Sequence, residues 1–193
     1  MENCKFFALI SRMKYVNRWG LMHNDRKENL MEHSFETAVI AGALANIENE
    51  MFGGAYDVDK ITQAALFPDA SEIVTGDMPT PVKYINSQMS SVYKEVEGKA
   101  QEALLRSLPS ALRETYRGYF APDEKSYQII KAADKISALL KCIQEVRTGN
   151  KDFATAREST EEKIRQIPLQ SVNYFMEQML PAYSLTLDEL SVL

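Results

Sequence analysis

Apolar residues recur at three- and four-residue intervals along almost the whole chain, while β-branched residues never alternate with polar ones over a useful length. That spacing predicts an all-α fold. A first helix is expected over 3–15, with Phe6, Leu9, Ile10 and Met13 on one side. A second, over 29–49, carries Phe35, Val39, Gly42 and Leu44 with little charge, so it is expected to be buried around much of its circumference. Asp57 or Asp59 can cap a third helix bearing Ile61, Ala64, Ala65 and Leu66, which then meets Pro68. Two prolines and a glycine between Thr75 and Pro81 predict a loop without regular structure. Further helices are expected over 87–108, 109–118, from Asp123 to Thr148, and over 152–166 and 171–180, with a capping-box spacing at Thr186 to Glu189. No repeat, low-complexity tract or linker divides the 193 residues, so the chain is read as a single compact helical bundle over 1–193.

Charge and cysteine usage narrow the functional classes. With 22 basic and 27 acidic side chains the net charge is −5, which leaves no global positive field for long nucleic acids or anionic membranes. Any contact to phosphate must be local. The apolar patch in the first fourteen residues is too short for a signal peptide, and no apolar run approaches the roughly 18–20 residues that span a bilayer. Cys4 and Cys142 are too few for a disulfide framework and too far apart for a C-x-x-C element, so a reducing cytoplasm is the expected compartment.

Few residues can carry chemistry. Of the two histidines, His23 lies in the polar stretch His23 to Glu28 and is expected to be solvated. His33 shares a helical stripe with Thr37, Ile40, Ala41 and Leu44 and points inward, either as a core histidine held by one hydrogen bond or as a ligand. Asp69, Glu72 and Asp77 crowd around Pro68 and the proline-rich loop, where they could cap helices or bind a cation. The three-residue interval puts Asp69 and Glu72 on one side of a helical turn. Asp134 stands in an apolar helix, where it could pair with Lys131 or Lys135 or serve as a ligand. Arg18 and Trp19 offer a guanidinium fork for phosphate and an indole for a sugar or base, or else a tryptophan-anchored loop with a surface arginine.

The order of these elements is more specific than any one of them. Asn17-Arg18-Trp19, the run Glu28 to Ser34, Pro68-Asp69 with Glu72, the segment Thr75 to Tyr84, and Lys131 to Lys135 together resemble the HD-domain phosphohydrolases, in particular their bacterial 5'-deoxynucleotidase branch. The resemblance implies a helical bundle of the HD type, often a homodimer, that uses a divalent metal to hydrolyse deoxyribonucleoside 5'-monophosphates. Carried over by position, it implies metal ligands at His33, Asp69 and Asp134 and a catalytic acidic residue at Glu72, with Asp69 beside it. Arg18 would orient the phosphate, Trp19 would crowd the sugar where a 2'-hydroxyl would sit, and Asp77, Met78, Pro79 and Thr80 would hold the nucleoside.

One position departs from the pattern. The family's fourth ligand falls on Pro68, which has no donor atom and no backbone N–H, so the preceding helix must end or kink and the carbonyl of Ala64 is expected to lose its partner. One imidazole and two carboxylates still form a metal set with open positions. Manganese, magnesium and cobalt are the candidate ions, and the oxygen-rich balance favours the first two. Two other outcomes follow from the loss of a ligand: a nucleotide-binding HD domain without turnover, acting as a sensor or interaction module, or a helical scaffold with no small ligand.

Overall fold

The computed structural model describes residues 4–83 and 85–191, and every regular element among them is helical. Helix α1 (Phe6–Ile10) continues as a 3-10 turn over Ser11–Tyr15, accounting for the expected first helix. A loop then leads to α2 (Leu30–Phe52), whose start is fixed by a capping box. The Asn29 side chain accepts from the N–H groups of Met31 and Glu32, while the Glu32 carboxylate accepts from Asn29 N–H. Gly53, at φ 70°, supplies the left-handed residue that ends it. Asp57 caps α3 (Val58–Ala64) through Lys60 N–H, which decides between the two aspartates offered by the sequence.

Beyond α3 come the single turns α4 (Glu72–Thr75) and α5 (Thr80–Lys83), then α6 (Ser87–Arg106), α7 (Ser110–Phe120) and α8 (Glu124–Arg147). Helix α9 (Ala154–Arg165) and α10 (Gln170–Tyr174) follow, the latter running into a π-helical turn over Phe175–Met179. The capping-box spacing near the end is realised: Thr186 N–H donates to the Glu189 carboxylate at 2.7 Å.

Helices α2 and α8 form the central pair, flanked by α3, α9 and α10. Ile40, Leu44, Ile61, Ile129, Ile136, Leu140, Ile164 and Val172 make one buried cluster. A second, built on Phe6, Leu30, Phe67, Leu104 and Leu105, is rimmed by the rings of Tyr116, Tyr119 and Phe120. Burial of such side chains, at roughly 1.5–3 kcal/mol each, outweighs the short lengths of α1, α3 and α10, which would not be helical alone.

Three expectations need correction. Phe35 and Val39 are 67% and 56% exposed, because the helical period that turns His33, Thr37, Ile40 and Leu44 inward places this i,i+4 pair on the outer side of α2. The segment from Thr75 to Pro81 is less irregular than its prolines suggest. Pro81 stands at the second position of α5, where its missing N–H costs no helical bond, and the break is confined to 76–79. Pro68 does follow the end of α3, but the Ala64 carbonyl is not left alone: it accepts from Phe67 N–H at 3.1 Å.

Candidate active site

His33 sits in the first turn of α2, 1% exposed, with both ring nitrogens engaged. Its Nδ1 lies 3.0 Å from Ser137 Oγ on α8, and the Ser137 hydroxyl donates to Glu36 Oε2 at 2.7 Å. A hydroxyl has one proton, so Ser137 accepts from His33 Nδ1–H, and Nε2 is the ring nitrogen turned to the carboxylates. That nitrogen faces Asp134 Oδ1 at 3.1 Å and Asp69 Oδ2 at 3.5 Å. One donor atom from each of the three residues lies within 4.8 Å of the others. One imidazole nitrogen and two carboxylate oxygens converging on one point fit a divalent cation of oxygen and nitrogen preference, which would replace the hydrogen bond between His33 Nε2 and Asp134. Burial disfavours the Asp134 anion, but the hydrogen bond and charge of His33, with Lys131 and Arg18, hold its carboxyl well below the usual range.

Asp69 comes from the turn after α3, next to Pro68, and both line a cavity of about 220 Å³ together with His33, Asp134, Lys83, Lys94 and Lys131. The proline ring therefore occupies cavity wall where the resemblance implies a fourth ligand. Glu72 opens α4 within reach of the same charges. Burial, reinforced by Asp69 and Asp77 and opposed by Lys83 and Arg18, pushes its carboxyl up to about 9. Its Oε2 is buried without a hydrogen-bond partner among the described residues.

The loop between α1 and α2 lines no part of that cavity but brings the charge of Arg18 to bear on Asp69 and Asp134. Asn17 and Asn29 form an isolated antiparallel bridge, and Arg18 N–H donates to the Glu28 carbonyl at 2.9 Å. The Arg18 side chain donates to Glu28 Oε2 at 2.6 Å, and Trp19 Nε1–H reaches the same oxygen at 3.1 Å. Burial opposes the Arg18 charge, but Glu28, Asp69 and Asp134 more than offset it, so the guanidinium is held firmly protonated. Trp19 is the one non-glycine residue at positive φ, 61°, among the described residues. Its N–H donates to Asp77 Oδ2 at 3.1 Å, and its ring lies 5.2 Å from that of Phe153. Burial pushes the Asp77 carboxyl up, against the Arg18 charge and the Trp19 N–H. Farther along, the N–H groups of Asp25 and Arg26 donate to Glu145, whose carboxylate also pairs with buried Lys141. Burial works against the Glu145 anion, yet those donors bring its carboxyl down to about 2.

His33, Asp69 and Asp134 are thus brought together from positions spread over about half the chain, and Glu72, Arg18 and Asp77 lie close enough to act on their charges. Met78 and Pro79 are half-buried on the segment beyond Asp77, where the Pro79 carbonyl accepts from Val82 and Lys83 N–H. Thr80 opens α5, and its side chain lies outside the described residues, as does Tyr84. His23 is solvated, as its polar neighbours predict. Five residues escaped the sequence reading as partners: Glu28, Glu36, Ser137, Lys141 and Glu145. Helical spacing held a signal for two of them, since Glu36 and Ser137 each follow a proposed ligand by three residues and share its face.

The chain is similar to known proteins over nearly its full length. A family model for YfbR-like 5'-deoxynucleotidases matches residues 5–183. A 5'-deoxynucleotidase of Shewanella oneidensis is 44% identical, with 96% of each chain covered. The 5'-deoxynucleotidase YfbR of Escherichia coli is 43% identical, covering 99% of this chain and 98% of the relative. Among solved structures, an HD-domain phosphohydrolase from Listeria innocua superposes with a TM-score of 0.79 at 24% identity, over 93% of this chain and 88% of the other. A cyanophage S-2L HD phosphohydrolase, solved with dA and one catalytic Zn2+, gives 0.66 at 16% identity over 91% and 95%. With its helical frame and its His33, Asp69 and Asp134 cluster in place, the chain belongs to the YfbR-like 5'-deoxynucleotidase family and has the fold of the HD-domain phosphohydrolases.

Proposed function

We propose that this chain hydrolyses the phosphate monoester of deoxyribonucleoside 5'-monophosphates, with a divalent cation held by His33, Asp69 and Asp134. The convergence of those three side chains beside Arg18, in a chain of this family, is the observation that carries the reading. A cation held there would supply Lewis acidity, which offsets phosphoryl charge and lowers the pKa of water. Arg18 binds the phosphate with its fork and orients it. Trp19 closes off the 2'-position of the sugar, and Asp77, Met78, Pro79 and Thr80 hold the nucleoside. As water adds to phosphorus and the bond to the 5'-oxygen breaks, that oxygen needs a proton. The Glu72 carboxyl, kept protonated by its burial, delivers one and takes back the proton that the attacking water sheds.

A donor set of one imidazole and two carboxylates favours manganese or magnesium over cobalt or zinc. Pro68 leaves the set one donor short of the family's and weakens its hold on any ion. We further assign residues 1–193 to one HD-type domain, acting as a homodimer in the cytoplasm. The unpaired state of Cys4 and Cys142 supports that compartment, and no helix among the described residues is long and apolar enough to cross a membrane.

The test is metal content of the purified protein together with phosphate release from a panel of deoxyribonucleoside and ribonucleoside monophosphates. Metal-dependent turnover, faster on the deoxy series, is the expected result. Nucleotide binding with no turnover under any metal would assign the chain to the non-catalytic binding modules instead.

A further inference from the structure

One carboxylate oxygen touches both the residue assigned to the phosphate and the residue assigned to the sugar. Glu28 Oε2 accepts from Arg18 Nη1 at 2.6 Å and from Trp19 Nε1 at 3.1 Å, and the two charged side chains are each only 13% exposed. We propose that Glu28 is a positioning residue that sets the phosphate fork and the sugar wall together, so that affinity for phosphate and discrimination between sugars depend on one side chain. The proposal rests on the roles assigned above to Arg18 and Trp19.

Each of those residues needs outside restraint. The Arg18 guanidinium feels Asp69 and Asp134 as well as Glu28. Without Glu28 it would be drawn onto the carboxylates that must face the cation, and its fork would be lost to phosphate. The Glu28 anion holds it back at short range, in a buried setting where such a hydrogen bond is strong. Trp19 occupies a backbone conformation unfavourable for any residue with a Cβ, so its placement is imposed by contacts. Asp77 holds the backbone N–H and Phe153 one face of the ring, which leaves rotation of the indole to be fixed by its only polar atom. That atom is bonded to Glu28. The guanidinium carbon lies 5.7 Å from the indole centroid, so a shift in either group is felt by the other. The main chain reinforces the arrangement, since the Glu28 carbonyl accepts from Arg18 N–H and keeps the two residues opposite each other across the loop.

The experiment compares Glu28→Ala, Glu28→Gln, Arg18→Ala, Trp19→Phe and the doubles Glu28→Ala/Arg18→Ala and Glu28→Ala/Trp19→Phe. Kinetic constants are measured for a deoxy and a ribo monophosphate of the same base, and emission is recorded from Trp19, the chain's single tryptophan. Glu28→Ala should raise KM for both substrates about tenfold, narrow the deoxy-to-ribo ratio of kcat/KM several-fold and shift Trp19 emission, as expected for loss of a buried charge-assisted pair. In the Arg18→Ala background the further rise in KM should shrink below about twofold, and in the Trp19→Phe background so should the further change in ratio. Additive effects in both backgrounds overturn the proposal, because a merely structural loss would not depend on Arg18 or Trp19. Unchanged KM, ratio and emission in Glu28→Ala overturn it as well.

Glu28→Gln keeps one acceptor oxygen and replaces the other by an amide that cannot accept. If Glu28→Ala fails to fold, this variant takes its place, with the rise in KM from the lost charge and its dependence on Arg18 as the criteria. Failure of the functional reading looks different: Arg18→Ala and Trp19→Phe would then leave KM and the ratio untouched, while Glu28→Ala still moved the emission of Trp19.

Discussion

The two parts of the candidate site are built in contrasting ways. His33 and Asp134 stand on α2 and α8, the central pair of helices, and their orientation is fixed by the packing of the main core and by Ser137 one turn beyond Asp134. Arg18 and Trp19 stand on a loop, one of them in a left-handed backbone conformation, and donate hydrogen bonds to the carboxylates of Glu28 and Asp77, while Glu145 fastens Asp25 and Arg26 farther along the same loop. A helical frame suits a metal set, whose donors must meet within tenths of an ångström. A pinned loop suits recognition, where side chains can be exchanged without disturbing the frame. Variants of the frame should therefore change metal affinity and leave sugar preference alone, and variants of the loop should do the reverse.

The largest effect is expected from the frame. Asp134→Asn should weaken manganese binding by at least about 100-fold, since loss of a ligand must exceed the 10–100-fold typical of a supporting residue. The deoxy-to-ribo ratio of the remaining activity should be unchanged; a changed ratio would break the comparison.

Glu72 gives a test that needs no substrate. Its carboxyl is pushed up to about 9 in the folded protein against 4.5 as its ordinary value, so the folded state keeps a proton that the unfolded chain releases. The resulting stability is fully present below the lower value and is lost as pH rises toward the higher one. Between about pH 6 and pH 8 the metal-free protein should lose about 3 kcal/mol relative to Glu72→Gln in chemical denaturation. Parallel pH profiles for the two proteins would count against the buried, protonated carboxyl.

Pro68→His sharpens the contrast from the other direction. Because Pro68 already lines the cavity with Asp69, an imidazole there should raise metal affinity roughly 10–100-fold and turnover with it. The gain should come from ligand number alone, as the Ala64 carbonyl is already satisfied by Phe67 N–H. No gain under manganese, cobalt or magnesium, with folding intact, would show that position 68 cannot reach the ion. Ser137→Ala should cost about tenfold in metal affinity, since it frees the Nδ1–H that fixes the His33 ring; calorimetric titration would read it.

The smallest effect belongs to the loop. Trp19→Ala should narrow the deoxy-to-ribo ratio by about fivefold, whereas Arg18→Ala should weaken both substrates alike, because a steric wall sees the 2'-position and a phosphate fork does not. Equal ratios in the two variants would merge what the comparison separates.

Much of the helical frame around His33 was legible in the residue order. The stripe His33, Thr37, Ile40, Ala41 and Leu44 marks the inward face of α2, and every one of these residues is buried. The recognition loop was legible only as residue types. Arg18 and Trp19 announce phosphate and sugar chemistry, but nothing in their spacing says that Glu28 holds both, because an oxygen shared across a nine- or ten-residue loop follows no period. Phe35 and Val39 show the opposite failure. An apolar residue on a long helix reads as core, yet only the position of α8 decides which side of α2 is covered.

By itself the sequence determined the all-helical class, most helix ends and the kinds of donor available, because periodicity, capping and side-chain chemistry are local properties. Tertiary structure decided the rest: that Asp134 faces His33 across about 100 positions, that Ser137 and Glu36 set the imidazole, and that Glu145 fastens the loop to α8. Such contacts depend on how helices cross and on where burial makes one charge need another, and neither is written in the spacing of residues along a single helix.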